Sequence, residues 1–100
     1  MMHFILIYEL APHYLQDRAS YRAEHLKLAW EAQARGEIVL AGALTDPSDR
    51  AVFVFQSDTD AAARAFAAAD PYVKAGLVKG WSVRAWNTVV GEAAANPVRP

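Results

Sequence analysis

The sequence predicts an α+β domain of the ferredoxin-like βαββαβ kind: a four-stranded antiparallel sheet with two helices on one face. Two observations point there. Apolar runs of strand-forming residues occur four times, and two Ala-rich helix-forming stretches divide them as one, two and one. Length agrees, because 100 residues with 54% in the hydrophobic set suit one compact domain.

The elements follow in order. HFILIYEL, residues 3–10, is β-branched, aromatic and aliphatic until Ala-Pro-His breaks it, which marks a strand. Residues 17–36 hold no proline, are rich in Ala, Leu, Glu, Lys and Arg, and close on Gly36 where a helix C-terminus favours glycine. Two short apolar runs, 37–44 and 50–57, flank the polar turn TDPSD and predict a hairpin. Residues 57–70 open with Ser57 three residues before Asp60, in the pattern of a capping box, and stop at Pro71, which predicts the second helix. Residues 80–90 alternate well enough for a last strand. The domain is therefore expected over 1–90, with 91–100 as a flexible C-terminal tail.

The second face of this sheet raises a difficulty. FILIY and AVFVF are apolar at both parities, whereas a sheet with one wet face alternates. Two helices cover one face, so the aromatic and aliphatic side chains on the other predict a homodimer through the open sheet face.

Composition excludes several partners. The formal net charge is -1, and the ten Lys and Arg form no run that could follow a phosphate backbone, so no nucleic acid is expected. Absence of cysteine removes disulfides and thiol chemistry. The N-terminus lacks a basic segment and a small-residue cleavage site, and no window nears 18 apolar residues. A soluble, cytoplasmic protein without membrane association is expected.

Charge is misplaced on the first helix. At about 100° per residue, Ser20, Glu24, Lys27, Glu31 and Arg35 form the solvated face, and Arg18, Arg22, His25 and Ala29 stand opposite within roughly 60°. Burying unpaired cations is costly, so this stripe must line a wet cleft, meet carboxylates or bind an anion. Asp70 is one such carboxylate. Pro71 biases it to extended geometry, from which it can form an Asx-turn, orient His25 as a third group orients a catalytic base, or do both.

Arg22-x-x-His25-Leu26, Ala41-Gly42, and the run from Asp70-Pro71-Tyr72 to Ala75-Gly76 together resemble the YciI-like (YCII-related) family of dimeric α+β barrel proteins over residues 2–87. The resemblance implies that His25 and Asp70 form the active-site pair, with Arg22 and Arg18 as basic neighbours. It implies proton transfer on small cyclic acids or phenols, the class that includes dehydrochlorination of a hydroxyquinol and muconolactone isomerisation. Members commonly carry Pro after Ala-Gly, where this chain has Ala43.

Of the other residues, Tyr8 and Tyr72 have phenolic oxygens suited to a ligand, and Gly42 and Gly76 suit a close backbone approach or a positive φ. Trp30, Trp81 and Trp86 read as core or interface residues. His3 and His13 lack metal-ligand spacing to His25, so no metal is expected, and with no Gly-rich phosphate loop or dinucleotide fingerprint no cofactor is expected either. A purely structural dimerisation module fits the apolar sheet but leaves the inward basic stripe unexplained, and two further functions stay open. One is a cofactor-independent lyase or isomerase, with an anionic or phenolic small molecule held by Arg22 and Arg18, worked on by His25 and Asp70, and lined by Tyr8, Gly42, Tyr72 and Gly76. The other is a non-catalytic, small-molecule-binding or accessory dimer.

Overall fold

A computed structural model describes residues 1–100. Its elements are β1 (Met2–Leu10), α1 (Tyr14–Asp17), α2 (Ala19–Ala34), β2 (Ile38–Ala43), β3 (Arg50–Ser57), α3 (Ala61–Ala69), α4 (Pro71–Lys74) and β4 (Val78–Trp86). The strands form one antiparallel sheet in the order β2-β3-β1-β4. Apart from the one-turn helices α1 and α4, this is the βαββαβ arrangement that the sequence predicts.

Period-two alternation on the inner strands separates the layers. Phe4, Leu6 and Tyr8 of β1 lie opposite Phe55, Phe53 and Ala51 of β3, and all six are buried on the helix side. Helix α3 packs Ala63, Phe66 and Ala67 onto them, an i, i+3, i+4 set whose small members allow close approach. The Phe66 ring centroid lies 5.2 Å from that of Phe53 and 5.9 Å from that of Phe55. Helix α2 behaves differently. Only Ala32 of its sixteen residues is buried, and a cavity separates much of its length from the sheet.

Several boundaries differ from the sequence reading. The second helix starts at Ala61 rather than Ser57, because Ser57 still pairs with Met2 in the ladder. Asp60 takes the N-cap position, and no capping-box bond forms; its Oδ2 instead accepts from Arg64 Nε at 2.8 Å. The last strand runs 78–86 rather than 80–90, since the ladder with β1 ends at the His3 and Trp86 pair. Beyond it the chain turns back on itself. Ala95 N–H donates to Thr88 Oγ1 at 2.8 Å, and Val98 N–H donates to the Val89 carbonyl at 2.9 Å.

On the open face the aromatic part of the expectation fails. Every Phe and Tyr of β1 and β3 turns towards the helices, which leaves a strip of half-buried Ile5, Ile7, Val52 and Val54. His3, at one end of that face, is buried, and its Nδ1 lies 2.7 Å from Thr88 Oγ1.

The glycines give a sharp check. Gly76 follows α4 at φ +79, and no atom lies within 4 Å of where a Cβ would stand, so a side chain there meets backbone strain and no crowding. Gly76→Ala should lower stability by about 1 kcal/mol. Gly42 has neither strain nor a close neighbour, and Gly42→Ala should stay within about 0.5 kcal/mol of wild type. Urea unfolding measures both.

Candidate functional site

Asp70 closes α3 and opens α4. As the residue before Pro71 it adopts extended geometry, ψ 124, which turns its carboxylate inward. There Oδ1 accepts the Tyr72 backbone N–H at 3.0 Å, the N-cap bond of α4. Tyr8 from β1 donates its hydroxyl to Oδ2 at 2.7 Å. His25 from α2 places Nδ1 2.9 Å from both oxygens. The Asx-turn and the histidine bond therefore coexist on a carboxyl group with no exposed surface.

This carboxylate determines the imidazole tautomer. An ionised carboxyl only accepts, so Nδ1 carries the hydrogen and the neutral ring keeps its lone pair on Nε2. Aromatic walls hold the ring. Tyr72 stacks on it at 3.9 Å and 11°, while Phe53 and Phe66 meet it near edge-on at 6.1 Å and 6.2 Å. The His25 side chain is 11% exposed, and Nε2, which has no hydrogen-bond partner, is not sealed off.

That exposure opens onto a cavity of about 470 Å³ between α2 and the sheet, within the range of small-molecule sites. Arg18, Arg22, Tyr14 and Tyr72 line it with His25, and Leu26, Trp30, Phe53 and β2 supply apolar wall. Neither arginine has a carboxylate partner, because the ion pairs are His25–Asp70, Arg35–Glu37 and Arg64–Asp60. No acidic residue lines the cavity at all. The Arg18 guanidinium sits 5.5 Å from the Tyr14 ring centroid, within cation–π range. Burial first, and then Tyr14, raise the Tyr72 hydroxyl to about 12 against the opposing pull of Arg22 and Arg18. Burial, then the Asp70 charge and the hydrogen bond to it, push Tyr8 well above the ordinary phenol range. Both phenols therefore stay neutral donors.

His25 and Asp70 stand together, and Arg22, Arg18, Tyr72, Gly42 and Tyr8 border the same cavity. Tyr8 has a different task from the one its sequence position suggested. It is fully buried and its hydroxyl is committed to Asp70, so it holds the carboxylate rather than a ligand. Gly76 lies outside the cavity, in the turn after α4. Trp30, expected in a core or interface, is 67% exposed at the cavity. Tyr14 and Leu26 also line it unforeseen; Tyr14 stands four residues before Arg18, a spacing that becomes visible once 14–17 is read as helical.

A model of the YCII-related domain matches residues 1–87. Among solved structures, the 5-chloro-2-hydroxyhydroquinone dehydrochlorinase of Burkholderia phenoliruptrix AC1100, in complex with 2,5-dihydroxybenzoquinone, superposes with a TM-score of 0.73 at 22% identity. The match covers 87% of this chain and 95% of that one. At that identity the likeness is one of fold. No curated protein matches the sequence. No helix is long and apolar enough to cross a membrane.

The raised phenols have a linkage consequence. In the unfolded chain both tyrosines ionise near pH 10, whereas in the fold they hold their protons higher. Their contribution to stability is therefore complete below pH 10 and declines as pH rises beyond it. Denaturant unfolding between pH 9 and 12 should show this decline. Tyr72→Phe should make it shallower by up to about 1.4 kcal/mol per pH unit, the value of one proton.

Proposed function

The chain belongs to the YCII-related family, and from that premise we propose that it is an enzyme moving a proton on a small anionic or phenolic molecule, a lyase or isomerase by reaction class. One observation carries this. Nδ1 of His25 is bound to a buried carboxylate while Nε2 opens, unpartnered, onto a cavity with two unpaired arginines. Such a ring is aimed before any ligand arrives.

In this reading Nε2 takes a proton from a carbon or hydroxyl of the bound molecule, and Arg22 and Arg18 hold the oxyanion that develops. Asp70 stabilises the imidazolium, and the Tyr8 hydroxyl and Tyr72 N–H keep Asp70 in place. The imidazolium then returns the proton to a second atom in an isomerisation. In an elimination a leaving group departs with its bonding pair and the proton is released to solvent. The dehydrochlorinase of the same fold, solved with a dihydroxyquinone, supports a phenolic or quinonoid substrate class here.

Chloride release from 5-chloro-2-hydroxyhydroquinone, and deuterium exchange from solvent into small acids and hydroxyquinones followed by NMR, test the reading. His25→Gln should lower either rate by about 10²- to 10⁴-fold, while ligands still raise the melting temperature of the variant. Loss of binding in step with turnover would favour a binding or accessory domain instead.

We also propose that a second copy covers the open sheet face. Ile5, Ile7, Val52 and Val54 form a continuous aliphatic strip there, bordered by Glu9, Arg50 and Arg84, none of which is ion-paired within the chain. A two-fold axis sets like apolar surface against itself and can bring Glu9 of one copy to an arginine of the other. Sedimentation should give the mass of two chains, and Ile5→Lys with Val54→Lys should give one, with circular dichroism unchanged.

A further inference from the structure

The inward side of α2 changes character along its length. Arg22 and His25 line the first part of the cavity, with Arg18 just ahead of the helix, and Leu26, Ala29, Trp30 and Gln33 line the rest. At 1.5 Å per residue, His25 stands about 4.5 Å along the axis from Arg22 and about 7.5 Å from Trp30. The imidazole therefore divides a cationic end from an apolar one. Proton transfer as proposed above uses only the cationic end.

The apolar end is costly to leave open. Trp30 is 67% exposed, Leu26 39% and Val39 of the facing strand 38%, and all three line the open cavity. Clustered apolar exposure of this kind marks a binding surface. The chemistry identifies the occupant. Gln33 is the one polar side chain at that end, and no carboxylate is present to receive a cation or a set of hydroxyls, so a polyhydroxylated body would lose its hydration without gaining partners. A second copy on the aliphatic strip would sit across the sheet from Trp30, on the side away from the helices.

We infer that Leu26, Trp30 and Val39 form a specificity subsite, so that the substrate is an amphiphilic oxyanion: charge at Arg18 and Arg22, reacting atom at His25 Nε2, and a ring or short alkyl body against Trp30. This rests on the proton-transfer reading for the position of the reacting atom. The subsite itself concerns binding. Trp30 selects for apolar bulk beyond the reacting atom and excludes sugar-acid-like bodies.

The test is a binding titration with acetate, benzoate, 4-methylbenzoate, 4-ethylbenzoate and gluconate. Wild-type affinity should rise about fourfold for each added methylene from benzoate to 4-ethylbenzoate, with gluconate no better than acetate. Trp30→Ala should weaken the benzoates by about three- to tenfold and leave acetate unchanged, and Trp30→Phe should recover most of the loss. Because Trp30 is largely exposed, these variants should remain folded. Affinity that ignores bulk, equal effects of Trp30→Ala on acetate and benzoate, silence across the series, or a dimer that falls apart in Trp30→Ala would each overturn the subsite. Bulk-selective binding with no turnover of any probe would uphold the subsite and overturn the proton-transfer reading. Turnover with bulk-independent binding would do the reverse.

Discussion

The structure depends on a charge taken wholly out of water. Asp70 has no exposed surface, and an isolated carboxylate in that position would cost several kcal/mol even after relaxation. It is kept there by donors from three different elements: the Tyr8 hydroxyl on β1, the Tyr72 N–H on α4 and His25 Nδ1 on α2. Each bond that solvates the carboxylate also joins one element to the next. Site geometry and tertiary structure are thus held by the same contacts, and no buried polar side-chain atom is left unsatisfied.

The two long helices divide the remaining work unequally. Helix α3 is nearly all alanine, and its Ala63, Phe66 and Ala67 close down on the sheet. Helix α2 presents arginine, histidine and tryptophan where α3 presents alanine, and these cannot interdigitate with Phe53 and Ile38 without burying charge. It therefore packs on the core only partly, through Ala32 with Leu28 and Ala29 beside it, while the His25 bond ties it to Asp70 at the junction of α3 and α4. The cavity is what this standoff leaves behind. A more hydrophobic α2 would pack down onto the sheet and close it.

Much of this was legible in the residues, and the failures have physical reasons. His25 and Arg22 stand opposite an unmistakable solvated face, so their inward direction follows from helical period alone. Asp70 followed from Pro71, which bars it from helical geometry. The role of Tyr8 was not legible, because which side of β1 meets the helices depends on pairing between distant strands, and so does the last residue of β4. Ser57 offered a plausible cap, yet its ladder bond to the first strand outcompeted it. Helices α1 and α4, at four residues each, are too short to imprint a period. Trp30 is not in the core, one of the two places expected of it, because it stands on the rim of the cavity, which only the packing of α2 against β2 creates.

The tripeptide Asp70-Pro71-Tyr72 grips the imidazole twice, by a carboxylate at the ring edge and by a phenol ring on its face. Both grips grow from one proline-stiffened turn, closed by the 3.0 Å bond between the tripeptide's own ends. Any drift of that turn carries clamp and cushion together as one rigid body. Ring edge and ring face are thus fixed by one short turn, so the direction of Nε2 is set locally in a domain too small to be stiff throughout.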